Sequence, residues 1–325
     1  MIERFEAAGA ALVCPACRGF LRESAASLEC SGCGRAFPVV SGIPDLRLQP
    51  DRFLSQRDDR AKGLAALEKA GGRGFSGALE AYWAMTPELQ PALAAGHIRR
   101  QQGEVAVGGE LLAELGAAPT LDLGCGSGGL LAAAGQSGRT LIGLDAAFRW
   151  LLIGRERLRE LGLDPPLVCA NAESLPFADG SLPSLCANDL LEHVAEPRAA
   201  VAEMARTLAP GGWAYAASNN RFSILPEPHV RLPGVGWLPR AWQGPYVRAL
   251  RGHDYQNVRL PGGAELRGLF ECAGLTVESL RPAPLFTAHL EGGRRSLLQL
   301  SNRLHWPAAL APRVAVRARK PAPVG

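Results

Sequence analysis

The chain has 325 residues, of which 47% are hydrophobic, so it can bury one full α/β core and still carry a small additional module. Its formal net charge of +4 is far below the basic loading of a dedicated nucleic-acid binder. No apolar stretch reaches the roughly 18–20 residues that cross a bilayer, and the N-terminus lacks the clean apolar core of a signal peptide. We therefore expect a cytoplasmic protein without a membrane span.

The N-terminal part carries two Cys-x-x-Cys pairs. Cys14 and Cys17 are separated by twelve residues from Cys30 and Cys33. This spacing is typical of two turns that place four thiolates around one tetrahedral zinc ion and leave no open position for water. Residues 1–47 are therefore predicted to be a zinc-binding module. The remaining cysteines lie far apart in apolar settings and are expected to be buried thiols: Cys125, Cys169, Cys186 and Cys272.

Residues 48–115 are predicted to form a helical linker or cap. Apolar residues recur there at three- and four-residue steps around Ser76–Met85 and Pro91–Leu115. Within the first of these helices, Tyr82 and Trp83 are candidates to close over a ligand, although packing of an apolar helix face is the alternative.

From residue 116 to residue 325, apolar strands alternate with amphipathic helices. Seven strands are predicted, at PTLDLGCGSGG, TLIGLDAA, PLVCAN, LPSLCANDLLEHV, WAYAASNN, LTVESLR and RVAVRARK. The stretch AVAEMARTLAPGG is predicted to be a helix, and so is Gly263–Ala273. Such alternation predicts an α/β fold whose mainly parallel sheet is covered on both faces.

Two insertions interrupt this pattern, at about 219–262 and 284–310. The second contains a basic, leucine-rich helix over Leu290–Trp306. For this helix the alternatives are the wall of an apolar substrate pocket, a contact between subunits, or a solvated face.

A glycine loop follows the first of these strands. It reads DLGCGSGG from Asp122 to Gly129, and glycine permits both the sharp turn and the close approach of a ligand. The preceding carboxylate of Asp122 would repel a pyrophosphate but attract an ammonium group. Asp145 ends the next strand, 23 residues later, where a carboxylate can accept hydrogen bonds from both ribose hydroxyls. A ligand with a ribose, a cationic end and no phosphate is S-adenosylmethionine; an NAD or phosphate loop is the alternative.

Together with the stretches AESLPFADGSLPSL, LEHV and LAPGG, these residues resemble the class I methyltransferases of the ubiquinone/menaquinone type over about Thr120 to Leu280. The resemblance implies a Rossmann-like seven-stranded sheet and S-adenosylmethionine as the methyl donor. It also implies that Gly124 and Gly126 back the methionine part of the cofactor, that Asp122 reaches its amino group, and that Asp145 holds the ribose.

The resemblance implies further cofactor contacts from Cys125, Ala146, Asn171, Ala172 and Asn188. Asn171 stands where the family usually has an aspartate that contacts the adenine amine. The side-chain carbonyl of an asparagine can accept the same hydrogen bond. We therefore expect that this departure leaves the cofactor site intact.

The N-terminal stretch ALVCPACRGFLRESAASLECSGCGRAFPVVSGIPDL resembles the Trm112-like zinc ribbon, which occurs alone as a methyltransferase partner or fused to one. The resemblance implies that the ribbon folds the first 47 residues and docks on the catalytic domain. Binding of a macromolecular substrate is the alternative role.

Three histidines are candidates for catalysis. Methyl transfer from a sulfonium depends mainly on positioning, and a general base is needed only if the acceptor carries a proton. His193 follows the fourth strand, with a structural role as the alternative. His229 and His253 lie in loops where the family places substrate contacts, and ordinary loop filling is the alternative for both.

The function we expect is S-adenosylmethionine-dependent methylation, at oxygen, nitrogen or activated carbon, of a small or lipophilic metabolite by a monomer or homodimer. A ribosomal or transfer RNA base methyltransferase is the main alternative, because some such enzymes also carry a four-ligand zinc module. The modest charge and the lack of an aromatic–basic stacking patch make a nucleic-acid substrate the less favoured one. A protein that binds the cofactor without catalysis is the third alternative.

Overall fold

The computed structural model describes residues 1–87, 91–287, 290 and 292–322. An N-terminal unit holds one short helix, α1 (Ile2–Ala7), and a four-stranded sheet in which each strand pairs antiparallel with the next. Its strands are β1 (Leu21–Glu23), β2 (Ser27–Cys30), β3 (Ala36–Val40) and β4 (Ile43–Pro44).

Four helices follow: α2 (Gln56–Ala70), α3 (Gly74–Ala84), α4 (Pro91–Gln102) and α5 (Glu104–Leu115). The hydroxyl of Ser55 caps the start of α2 by accepting a hydrogen bond from the backbone N–H of Asp58. Helix α2 ends at Gly71, whose φ of +57° is easily adopted only by glycine. The helix predicted over Pro91–Leu115 is broken in two at Gly103, the N-cap of α5.

The remaining chain forms the main layer of the fold. Its strands are β5 (Leu121–Leu123), β6 (Ile142–Asp145), β7 (Leu167–Cys169), β8 (Leu182–Asn188), β9 (Leu208–Asn219), β10 (Thr276–Pro282) and β11 (Arg313–Arg319). Its helices are α6 (Gly129–Gln136), α7 (Phe148–Glu160), α8 (Pro197–Thr207), α9 (Arg240–Arg251), α10 (Gly263–Cys272) and α11 (Gly292–Arg303).

The seven strands lie in the order β10-β11-β9-β8-β5-β6-β7, and only β11 runs antiparallel to its neighbours. The predicted Rossmann-like seven-stranded sheet is thereby confirmed. Leu185 and Ala187 of β8 pack in one hydrophobic cluster and Cys186 in another, because successive side chains point to opposite faces. Both faces of the sheet are therefore covered.

The sheet also determines where a ligand can bind. Strand β5 pairs with β6 on one side and with β8 on the other. The order in which the strands are added to the sheet therefore reverses at β5. The carboxyl ends of strands at such a switch point form a crevice, which is the usual ligand site of an open α/β sheet. The glycine loop, Asp145 and the segment after β8 all lie at this edge.

The N-terminal unit is joined to the last strand of the main sheet by an isolated bridge. Asp45 forms a parallel bridge with Cys169 of β7, and the backbone N–H of Leu46 donates to the Cys169 carbonyl at 2.7 Å. Leu12 bridges to Phe177, and both side chains belong to one hydrophobic cluster that also includes residues of β5, β8 and β9. The unit is thus part of the central core, and it covers the edge of β7.

Several details differ from the sequence-based expectation. Strand β9 begins at Leu208, so the LAPGG stretch lies in a strand and not at the end of a helix. Insertion 219–262 contains α9, which was not predicted because Pro245 lies inside it. Cys272 is exposed, whereas Cys125, Cys169 and Cys186 are buried as expected. Within the described part of the chain, no helix is long and apolar enough to cross a bilayer.

The predicted helix over Leu290–Trp306 is α11, Gly292–Arg303. Its Leu297 and Leu300 are 65% and 56% exposed, so these two side chains do not line a closed pocket within the chain. In helix α3, Tyr82 is buried and its ring packs against Trp83 and against Trp150 of α7, at centroid distances of 5.1 and 4.6 Å. For Tyr82 the packing alternative is therefore the one observed.

Candidate cofactor and acceptor site

The glycine loop turns sharply between β5 and α6. Gly124, Gly126 and Gly128 have φ angles of +82°, +52° and +78°, a region that side chains rarely adopt. The backbone N–H groups of Gly124 and Cys125 donate to the carbonyl of Leu144 on β6, which fixes the loop to the neighbouring strand. A Cβ atom added at Gly126 would meet no atom within 4 Å. The surface above the loop is therefore open to a ligand.

Asp145 lies at the carboxyl end of β6, next to this loop. Its Oδ2 accepts a hydrogen bond from the Gly126 N–H and its Oδ1 from the Ala147 N–H, both at 2.8 Å. Burial raises the pKa of Asp145, and the two backbone donors partly offset this. Each oxygen keeps one acceptor position, so the carboxylate fits a ligand that presents two hydroxyl groups.

Asp122 is the buried acid of the site. Its residue is 5% exposed, and its carboxylate has no hydrogen-bond or ion-pair partner among the described residues. Burial raises its pKa to about 8, with further contributions from the carboxylates of Asp145 and Glu104. A buried carboxylate without a partner is costly, and a ligand ammonium would supply the missing partner. This side chain therefore fits the amino group of S-adenosylmethionine.

The side chain of Asn171, which was expected to contact adenine, binds the linker instead. Its Oδ1 accepts hydrogen bonds from the backbone N–H groups of Leu48 and Gln49, at 3.0 and 3.1 Å, and its Nδ2 donates to the Gln49 carbonyl at 3.3 Å. Both lone pairs of this carbonyl oxygen are occupied. The adenine contact expected of Asn171 would therefore require displacement of the linker, and the observed role of the side chain is to hold the linker here.

The same linker carries a buried ionic network. The guanidinium of Arg47 forms two hydrogen bonds with Asp45, one with Asp59 at 2.6 Å and one with the carbonyl of Ala146 at 2.9 Å. Asp59 in turn accepts from the backbone N–H of Phe148 at 2.7 Å, at the start of α7. The chain leaving the N-terminal unit is thus tied to the residue that follows Asp145.

Three other residues expected to contact the cofactor are Cys125, Ala172 and Asn188. Cys125 and Ala172 have buried side chains within the hydrophobic clusters, so their contribution to a ligand is through the main chain. Asn188 accepts a hydrogen bond from buried Arg313 at 2.9 Å, and Arg313 also pairs with Asp189 at 2.7 Å. Asp189 has a φ of +53°, and this pairing holds the turn that follows β8.

Two of the three candidate histidines lie together beyond β8. The rings of His193 and His229 are 5.2 Å apart and nearly perpendicular. Burial lowers the pKa of His193 to about 4, with a second contribution from His229. Burial also lowers the pKa of His229, but its Nδ1 lies 2.6 Å from Oε1 of Glu227, and the net pKa is raised.

His253 is not part of this pair. Its side chain is exposed, and its Nδ1 contacts only the carbonyl of the adjacent Asp254. Its expected catalytic role has no support from its position, because the ring is solvated and no acidic or basic side chain of the described residues hydrogen-bonds it.

The four cysteines predicted to bind zinc converge. Their Sγ atoms all lie within 4.8 Å of one another, with 3.7 Å between Cys14 and Cys33 and 3.4 Å between Cys17 and Cys30. A tetrahedron with zinc–sulfur bonds of about 2.3 Å has sulfur atoms roughly 3.8 Å apart. The cluster is the one group of three or more metal-ligating side chains in the described residues, and its donors suit zinc.

Sequence reasoning missed Arg47, Arg313 and Glu227. Arginine side chains usually lie on the surface, and no local pattern shows that these two are buried. For Glu227 a signal was present, because it stands between two prolines and two residues before His229.

Comparison with known proteins gives the same result as the geometry. The Methyltransferase domain family matches residues 121–216, and the Trm112p-like protein family matches residues 10–42. A ubiquinone biosynthesis O-methyltransferase of Thiobacillus denitrificans is 32% identical over 172 residues, which are 52% of this chain and 68% of the relative. One from Bordetella avium is 30% identical over 214 residues, 64% of this chain and 80% of the relative.

Across the first relatives the match spans 48% to 80% of their own lengths. Among solved structures, geranyl diphosphate C-methyltransferase from Streptomyces coelicolor A3(2) is 18% identical, with 66% of this chain and 78% of that chain covered and a TM-score of 0.46. The glycine loop, the two acids and the identity to O-methyltransferases over 68% and 80% of their lengths together establish that this chain belongs to the class I S-adenosylmethionine-dependent methyltransferases and carries an N-terminal Trm112-like domain.

Proposed function

We propose that this methyltransferase methylates a hydroxyl oxygen of a small, lipophilic metabolite, with a quinone-type ring precursor as the first candidate. The observation that carries the proposal is the identity to ubiquinone biosynthesis O-methyltransferases, which extends over 80% of one relative's length. The buried histidine pair beyond β8 supports it, because a hydroxyl acceptor has a proton to lose.

For the cofactor, we propose that Asp145 holds the ribose hydroxyls and Asp122 the amino group of S-adenosylmethionine. Main-chain groups of the glycine loop, of Ala146 and of Ala172 line the rest of the pocket, with Asn188 at the methionine end. Asn171 acts there by holding residues 48 and 49 of the linker at the adenine end. When bound, the cofactor supplies an activated methyl group.

We further propose that Cys14, Cys17, Cys30 and Cys33 hold one structural zinc ion. Four thiolates leave no open coordination position, so the metal has no part in the methyl transfer. The backbone N–H groups of Gly32 and Cys33 lie 3.4 and 3.5 Å from the Cys30 sulfur, an arrangement that supports a bound thiolate. A cytoplasmic monomer or homodimer completes the proposal, and light scattering after size-exclusion chromatography tests the oligomeric state.

The experiment that tests the function is turnover of radiolabelled S-adenosylmethionine with two sets of acceptors: substituted catechols and phenols, and total RNA. Methyl ether products from the first set and none from RNA are expected. An RNA enzyme would bind with a steep salt dependence, losing roughly a thousandfold in affinity between low and moderate salt if it contacts six or more phosphates. Base methylation with that salt dependence would replace the proposal with the RNA alternative.

A further inference from the structure

The loop that carries His229 is held rigidly. Glu227 stands between Pro226 and Pro228, and each proline ring fixes one backbone angle. The Glu227 N–H donates to the carbonyl of Leu232 at 2.8 Å. Arg251, at the end of α9, donates to two further carbonyls of the loop, at 2.9 and 2.7 Å. The backbone of this loop is therefore held at several points.

Glu227 is a buried carboxylate with a full set of donors. Its side chain is 2% exposed. Oε1 accepts from His229 Nδ1 at 2.6 Å and from the Tyr255 hydroxyl at 3.3 Å, and Oε2 accepts from the Val230 N–H at 2.7 Å. A carboxylate on Nδ1 fixes the imidazole in the tautomer whose Nε2 carries the lone pair. No described residue hydrogen-bonds that Nε2, and the ring is 29% exposed.

His229 lies beyond the carboxyl end of β8, next to His193. Its ring stands edge to face with His193, five residues beyond the end of β8. The charged and titratable groups around the two rings come from several elements: Asp189 and Glu192 after β8, Glu227 in the loop, Tyr255 after α9, and Arg52 of the linker. Acidic side chains outnumber basic ones in this set, so the surrounding charge stabilises the protonated form of His229.

We propose that His229 is the general base that takes the proton of the acceptor hydroxyl through Nε2, and that Glu227 is the positioning residue that orients His229 and stabilises its protonated form. This inference rests on the proposed O-methylation and adds to it the requirement for an acceptor that is protonated when it binds. Tyr255 holds the second position on the Glu227 carboxylate.

The proton and the methyl group balance in one displacement. The methyl carbon passes from the sulfonium of S-adenosylmethionine to the acceptor oxygen, which leaves a neutral thioether and a methyl ether. The hydroxyl proton moves to Nε2 of His229, and the resulting imidazolium is stabilised by Glu227 across the Nδ1 hydrogen bond. The proton then leaves to solvent, because the ring is partly exposed.

The pKa directions agree with this assignment. Burial lowers the pKa of both histidines, but only His229 has a carboxylate on its ring, and its net pKa lies above the ordinary value. The pKa of His193 falls to about 4, so His193 is neutral at physiological pH and is the weaker base. A base is most effective when its pKa lies near the working pH, which favours His229.

The test compares Glu227→Gln and His229→Gln with the wild type on two acceptors, catechol and 4-nitrocatechol. Catechol is protonated at neutral pH, whereas the nitro group makes 4-nitrocatechol largely ionised. With catechol, kcat should fall about 10²–10⁴-fold in His229→Gln and about tenfold to a hundredfold in Glu227→Gln, whose amide still accepts the hydrogen bond but carries no charge. With 4-nitrocatechol both losses should shrink to a few-fold. His305→Gln, at an exposed histidine outside the site, is the matched control.

Two readouts separate positioning from simple structural support. In Glu227→Gln the acid limb of kcat/KM should move to lower pH, with KM for the cofactor unchanged. In the same variant, saturated with S-adenosylhomocysteine, the His229 ring signal in ¹⁵N–¹H spectra should titrate at lower pH than in the wild type. Equal losses on both catechols, or an unmoved His229 titration, would overturn the assignment. Failure of the wild type to methylate either catechol contradicts the proposed acceptor class instead, and the ring titration still decides whether Glu227 controls His229.

Discussion

Replacing Arg47 with methionine should test whether the linker's ionic network supports both the fold and the cofactor pocket. The Arg47 side chain is fully buried, and it pairs with Asp45 and Asp59, whose side chains are 1% and 0% exposed. Its removal leaves two buried carboxylates short of a partner, although Arg60 and Arg149 still contact them. Breaking a buried ion pair by removing one partner typically costs about 3–5 kcal/mol, and we expect a loss of that size in the free energy of unfolding.

The same substitution removes the donor to the Ala146 carbonyl, directly after Asp145. We therefore expect the affinity for S-adenosylhomocysteine to fall roughly tenfold, or about 1.4 kcal/mol. Urea unfolding and isothermal calorimetry measure the two effects. Arg60→Met is the matched control, because Arg60 is 25% exposed and Asp45 is its one ion-pair partner among the described residues. This substitution should cost about 1 kcal/mol or less. If Arg47→Met and Arg60→Met unfold at the same urea concentration and bind equally well, the network does not support the pocket.

Three further outcomes are expected. Asp145→Ala should lose about 2–4 kcal/mol of cofactor binding, because two charge-assisted hydrogen bonds to the ribose disappear, and unchanged calorimetric affinity would refute its role. Burial raises the pKa of Asp122 to about 8, so its carboxyl is protonated below that pH in the free protein. The affinity for S-adenosylhomocysteine should therefore rise as the pH approaches 8, and binding near neutral pH should release a proton. Asp122→Asn should abolish both effects. Protein purified without chelator should contain one zinc per chain, and Cys30→Ser should lower the zinc content and the stability together; metal analysis that finds none contradicts the zinc assignment.

The parts of the fold that the sequence predicted are those with a local signal. The glycine loop and Asp145 are read from the order of residue types along one strand–turn–helix unit, and the structure places them together. The cysteine pairs have a spacing that only a few folds share. Strand β8 follows from a short apolar run, whose residues 184–187 are all buried. Helix α10 follows from periodicity, because its buried residues Gly263, Leu266 and Phe270 recur at three- and four-residue steps.

The parts that could not be predicted depend on contacts between distant residues. Arg47 reaches a carbonyl 99 positions away, and nothing in its neighbourhood distinguishes it from a solvated arginine. Asn171 was read from the family pattern as an adenine contact, but a linker from the N-terminal unit occupies its oxygen. Helix α9 was hidden by Pro245, whose cost to an isolated helix is offset here by burial of Gln243 and Val247.

The bridge between Asp45 and Cys169 has a consequence for protein handling. If β7 were an exposed edge strand, its unpaired backbone N–H and C=O groups could pair with an extended segment of another molecule. Such edges are common starting points of aggregation. Residues 45 and 46 pair with Cys169 at this edge, and a second bridge, between Leu12 and Phe177, covers an apolar part of the core. A truncated protein that starts after residue 47 would expose both at once. Attempts to obtain the catalytic region alone should therefore yield insoluble material, and chelation of the metal during purification should produce the same precipitate slowly.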